Sequence, residues 1–177
     1  MKIIGVDNGI AGAIALIATG KDTECPNRLL SYDIYDMPII KDGEYDLNLI
    51  SNYIRKDCPD YIFIEKAQVF YKQGSVSSFT TGNKWGQMVG VSAALVGSLR
   101  VCIVSPKEWQ KAFGIVRPKG DDNYDTKLES VKVAEKLFPR CVYREMTKRG
   151  TERLKDGRAD AILIANYGLT IKQNEKI

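Results

Sequence analysis

The chain opens on an apolar run, KIIGV at 2–6, then one acid, Asp7, a glycine-bearing turn, and a second apolar run, AGAIALI at 11–17. Both runs read as buried strands joined by the turn DNGI. LLSYDIYDM at 29–37 alternates apolar and polar positions and predicts a third strand, so the chain begins as an antiparallel meander. The period then changes. Asp46 is placed to cap a helix whose Leu47, Ile50, Tyr53 and Ile54 share one face. DYIFIE at 60–65 is a short strand after Pro59, and it too ends on an acid, Glu65. The Ser-, Gly- and Thr-rich stretch 66–83 predicts a loop. KWGQMVGVSAALVGSL at 84–99 predicts a helix with small residues at Gly86, Gly90, Ala93, Ala94 and Gly97, and RVCIV at 100–104 a strand.

Ser105, Pro106 and Gly114 bracket a further short helix, with Pro at its first position and Gly past its end. The polar stretch 115–125 predicts no element. Thr126 and Glu129 have capping-box spacing for a helix over 127–138 with Leu128, Val131, Ala134 and Leu137 inward. The basic segment that follows predicts irregular chain, and DGRADAILIANYGL predicts the last helix. Strands, then helices alternating with strands, point to a mixed sheet with helices on its faces.

Composition narrows the chemistry. A length of 177 residues, 44% hydrophobic and 27% charged, fits one soluble domain over 1–177 with a sizeable core. No apolar run reaches the roughly 18 residues of a membrane span, and the N-terminus does not read as a signal peptide, so an intracellular site, cytoplasm or nucleoid, is expected. Cys25, Cys58, Cys102 and Cys141 are far apart with no C-x-x-C pair, which argues for free thiols rather than zinc. The chain has no histidine, which removes Ser-His-Asp and Cys-His catalysis and histidine-bound metals. Any chemistry therefore rests on carboxylates, lysines or a hard cation. The net charge is only +4, but seven basic residues lie between Arg140 and Arg158 against Glu145, Glu152 and Asp156. That excess is either a phosphate-binding face or a solvated surface.

The acids that end elements carry the sharper signal. Asp7 either caps its turn or holds a cation, because a lone buried charge is expensive. Glu65 ends a second strand, and parallel pairing would bring both acids to the sheet edge where ligands bind. Asp156 and Asp160 are one helical turn apart, with Asp160 at the margin of the apolar run AILIA. Four acids without histidine suit Mg²⁺ or Mn²⁺. Two such ions about 4 Å apart activate water and stabilise the leaving oxygen in phosphodiester cleavage. On that ground Asp7 is taken as a metal ligand.

These motifs resemble the RuvC-type Holliday-junction resolvases of the RNase H-like superfamily, in particular their phage and organellar branches. IIGVDNG is similar to the first catalytic motif, IFIEKAQVF to the second, GQMVGV to the helix after it, SPKEWQKAFGI and KLESVKVAEKLFP to the basic helices, and KDGRADAILIANYG to the closing acidic helix. The resemblance spans the chain. It implies an α/β, RNase H-like mixed five-stranded sheet flanked by helices. It implies a homodimer that makes paired symmetric cuts in four-way DNA junctions with Mg²⁺ or Mn²⁺, two ions per active site. Asp7, Glu65, Asp156 and Asp160 would be the catalytic metal ligands. One departure stands out: bacterial members space the last two acids three apart, and here that position is Gly157.

The same resemblance implies DNA contacts from Lys66, Lys107, Lys111, Lys127, Arg149, Arg153, Lys155 and Arg158. It places Phe70 or Tyr71 where an aromatic wedges into the junction, a role that stacking on bases supports, while core closure is the alternative for Phe70. Actin-like ATPases share the first motif, but the chain is too short for two lobes and lacks a second copy. Two alternatives remain open: a nuclease of this fold acting on other branched DNA or RNA–DNA hybrids, and a non-catalytic junction-binding module.

Overall fold

Five strands make one mixed sheet in the computed structural model, which describes residues 1–20, 29–68 and 72–175. They are β1 (Lys2–Asp7), β2 (Ala13–Thr19), β3 (Leu29–Asp36), β4 (Tyr61–Glu65) and β5 (Val101–Val104), in the order β3-β2-β1-β4-β5. β1–β2 and β2–β3 are antiparallel, while β1–β4 and β4–β5 are parallel. In this register Val6 lies beside Ile64, so Asp7 and Glu65 leave the sheet at the same edge, as their strand-end positions predict.

The two-residue period of the strands builds two cores. Ile3, Ala15, Ile17 and Phe63 face one side with Val131, Ala161 and Ile162. Ile4, Val6, Leu16, Ile62 and Ile64 face the other with Ile50, Ile54 and Met88. The first side is covered by α3 (Pro106–Ala112), α4 (Thr126–Leu137) and α5 (Asp156–Asn174), the second by α1 (Leu47–Asp57) and α2 (Ser75–Val96). Each fully buried isoleucine contributes about 1.5–3 kcal/mol relative to exposure. α5 crosses β1 at Gly5, where an added Cβ would come within 2.3 Å of Ala161 O. Only glycine admits that approach, which brings the start of α5 over the ends of β1 and β4.

Several expectations are corrected. α2 begins at Ser75, inside the stretch read as loop. Thr80 and Thr81 bond back to the carbonyls of Val76 and Ser77, so their hydroxyls are satisfied within the helix. The helix ends at Val96 because Gly97 turns with a φ of +88°. β2 starts at Ala13, after a turn closed by Gly12 N–H on Gly9 O. α4 is capped by Asp125, which accepts from Lys127 N and Leu128 N, rather than by Thr126. Leu137 points outward at 42% exposure and Phe138 fills the inward place. The basic segment is a hairpin, β6 (Arg144–Met146) and β7 (Glu152–Leu154), rather than irregular chain. Asp46 caps α1 through Leu49 N, and Ser105 and Glu108 form a capping box on α3. Cys58, Cys102 and Cys141 are free thiols. No helix among the described residues is long and apolar enough to cross a membrane.

Candidate active site

Asp7 comes from the end of β1, Glu65 from the end of β4, and Asp156 and Asp160 from the first two turns of α5. Their fields overlap. Burial raises Asp7 well above the ordinary aspartate range, and Asp160, Glu65 and Asp156 raise it further. Burial likewise pushes Asp160 up to about 7, with Glu65 and Asp156 adding to the shift. Ser130 stands near enough to offset part of that, yet neither Ser130 Oγ nor Asp160 Oδ1 completes a hydrogen bond. Among the described residues, Asp160 Oδ1 is thus a solvent-shielded carboxylate oxygen with no partner. Burial also raises Glu65.

Among the described residues, Lys127 is the cation that answers these acids. Lys127 Nζ lies 2.6 Å from Asp156 Oδ2, and Asp160 and Asp7 also act on its charge. The side chains that could hold a hard cation are the four acids, an all-oxygen donor set with one orphaned oxygen and mutual repulsion to relieve. As they stand, no three His, Cys, Asp or Glu side chains among the described residues are gathered tightly enough to grip an ion. Asp156 is committed to Lys127 in this state.

The helix-start geometry accounts for Gly157. An added Cβ there would lie 2.3 Å from Ala11 O and 3.0 Å from Asp7 Oδ2. An acid at this position, the bacterial spacing, would drive its side chain into the β1–β2 turn. Asp156, one residue earlier, is the acid this packing allows beside Asp160.

Both tryptophans of the chain hold Glu65, which sequence reading missed. Trp109 Nε1 donates to Glu65 Oε1 at 2.8 Å, and Trp85 Nε1 donates to Glu65 O at 3.1 Å. Trp109 is fully buried, so its ring is fixed and one carboxylate oxygen is oriented. Nothing in SPKEWQKAFG signals a partner 44 residues away. Asn8, Tyr45 and Lys84 were also missed. Tyr45 donates to Asn8 Oδ1 at 3.3 Å, and the buried Lys84 ammonium donates to Gly43 O at 2.6 Å.

The expected DNA contacts separate into two sets. Lys66, Lys107, Lys111, Arg149 and Arg153 are exposed, the last two on the hairpin. Lys155 pairs with Asp36 and Glu145, and Arg158 holds Asp36 with two nitrogens. These two are struts between α5, β3 and the hairpin rather than free cations. Lys127 is likewise occupied, by Asp156. Phe70 and Tyr71 lie outside the described residues.

No family model matches the chain, and neither does any curated protein. Solved structures do. The Thermus thermophilus RuvC structure is 19% identical, covering 93% of this chain and 91% of that one, with a TM-score of 0.54. T. thermophilus RuvC in complex with Holliday junction substrate is 17% identical over 93% and 90%, with a TM-score of 0.51. The fowlpox virus resolvase with its substrate Holliday junction DNA is 13% identical over 96% and 99%, with a TM-score of 0.46. The two RuvC alignments, with TM-scores of 0.51 and 0.54 over 93% of this chain, show that it has the RuvC-type, RNase H-like fold.

Proposed function

We propose that this protein is a metal-dependent, structure-selective endonuclease that resolves four-way DNA junctions by paired symmetric cuts. The observation that carries the reading is the convergence of Asp7, Glu65, Asp156 and Asp160 at one sheet edge of a RuvC-type fold, in a chain with no histidine. The four acids would hold Mg²⁺ or Mn²⁺, two per site, and the ions would supply an activated water and charge stabilisation at the leaving oxygen. Trp109 keeps one Glu65 oxygen directed, and α5 carries Asp160 rigidly over β1. Lys127, now the counter-charge of Asp156, is placed to meet a substrate phosphate. Lys148, Arg149 and Arg153 on the hairpin and Lys66, Lys107 and Lys111 beside the site form the phosphate-binding face.

Symmetric cutting of a two-fold junction needs two active sites. One chain carries one such acid set, so a second copy must supply the other. The exposed face of α2 is the proposed contact: Val76 and Phe79 are 79% and 74% exposed, and Gly86 and Gly90 face open space.

The test is strand cleavage of a synthetic four-way junction with Mg²⁺, with Mn²⁺ and with EDTA, beside linear duplex and an RNA–DNA hybrid. Paired metal-dependent nicks, lost in Asp7→Asn, are expected. Preferential cutting of the hybrid would overturn the substrate, and binding without any cutting would overturn the chemistry.

A further inference from the structure

Glu65 is held at both ends by the two tryptophans of the chain. Trp85 fixes its main chain, donating to Glu65 O at 3.1 Å. The next residue is tied as well, since Lys66 N donates to Val104 O at 2.7 Å. Trp109 fixes the side chain, donating to Oε1 at 2.8 Å. That indole cannot follow a turning carboxylate. It is fully buried, in one cluster with Phe63, Val104 and Ile115. Its helix, α3, is set at its start by Pro106 and by the capping box of Ser105 and Glu108. The tie on Asp156 is of another kind: Lys127 holds it by charge, from a side chain that is 71% exposed and free to swing away.

With Oε1 committed to the indole, Oε2 is the oxygen that can turn to an ion. Presenting both oxygens to one ion would break the bond and leave a buried indole N–H without an acceptor, a donor then desolvated for nothing. The number of oxygens a carboxylate gives separates hard cations by size. Ca²⁺ gathers about 6–8 oxygens in flexible geometry and readily takes a carboxylate by both. Mg²⁺ demands a near-octahedral shell at shorter distances, where a two-oxygen bite fits poorly. We infer that Trp109 is a specificity-determining residue for the ion: by holding Oε1 it makes Glu65 a one-oxygen ligand, which turns the acid cluster toward Mg²⁺ and against Ca²⁺. The inference rests on the proposed metal-dependent reading. It adds a positioning residue, outside the four acids, that decides which ion they take.

The experiment reads ion binding without DNA. Bound Mn²⁺ is followed by electron paramagnetic resonance in the wild type and in Trp109→Phe, with Mg²⁺ and Ca²⁺ titrated in separately as competitors. The phenylalanine keeps an aromatic ring in the core and removes the N–H. The variant is expected to raise the affinity for Ca²⁺ relative to Mg²⁺ by roughly 10-fold or more, the range over which hydrogen-bond partners of metal ligands act. A role in packing alone would weaken both ions together, so an unchanged ratio would overturn the inference. The wild type supplies a second reading that stands even where Trp109→Phe does not fold. Its two indole N–H signals are resolved by ¹⁵N NMR and assigned with Trp85→Phe. Under saturating Mg²⁺ the Trp109 signal is expected to keep the downfield position of a bonded N–H, and its return upfield would overturn the inference. Ions bound at an unchanged ratio leave the metal-dependent reading standing. If the wild type binds none of the three ions, that reading fails, and the inference falls with it.

Discussion

Asp160 shows at the scale of one residue what burying an acid among other acids costs this fold. Its carboxyl is pushed from an ordinary 3.8 to about 7, chiefly by burial and then by Glu65 and Asp156. The folded state therefore keeps a proton that the unfolded chain releases near pH 4. Stability from this group is fully present below about pH 4 and is lost as pH rises through about 7, by up to about 4 kcal/mol for a shift of this size. Asp160→Asn removes that loss, because the neutral amide needs no counter-charge. The variant is expected to melt several degrees above wild type at pH 8 without added metal, with little difference at pH 4, and to lose junction cleavage. Thermal melts at the two pH values check the sign: equal melting at pH 8 would mean Asp160 is not held against its charge.

At the scale of elements, the hairpin and α5 divide the basic residues into two jobs. Arg144 is a strut, bound to Glu135 of α4 and to Glu152 across the hairpin. Thr147 and Thr151 close the tip through their hydroxyls, and Lys155 N–H donates to Tyr143 O at its base. Lys148, Arg149 and Arg153 are exposed on this braced arm, which runs straight into Asp156. Lys148→Ala with Arg149→Ala is expected to weaken junction binding and to lower the slope of log affinity against log salt by about one per lost contact. Arg158→Ala is expected to act mainly on stability, by about 1 kcal/mol or less at this half-exposed pair. Binding titrations over a salt series separate the two: an unchanged slope in the hairpin variant would remove the arm from the DNA face. The hairpin was invisible in the sequence because REM and ERL are too short and too charged to show a strand period. Its pairing is enforced by Arg144 and by Leu154 packing on the core, which are tertiary contacts.

At the scale of the whole molecule, the proposed paired cuts would require two copies of the acid set. α2 offers the open face, since a Cβ at Gly86 or Gly90 would meet nothing within 4 Å in this chain. Gly90→Leu is expected to leave the monomer fold intact and to shift the molecular mass in solution toward one chain, with loss of paired nicks. Light scattering and sedimentation read the outcome directly; an unchanged dimer mass would count against α2 as the contact.

The sequence by itself determined the sheet and the candidate acids. Continuous apolar runs in β1 and β2, the alternation in β3, a short apolar β4 and capped helices mark the elements, because those signals are local in the chain. Strand ends at Asp7 and Glu65 were legible for the same reason. Only the tertiary structure decided what surrounds them. The grip of Trp109 on Glu65, the neutralisation of Asp156 by Lys127, and the exclusion of an acid at 157 by Ala11 O all join residues far apart in sequence. Lys155 and Arg158 read along the chain only as basic residues free to meet DNA, and folding placed Asp36 against both. Charge and periodicity are properties of neighbours in sequence; the partner of a charge is a property of neighbours in space.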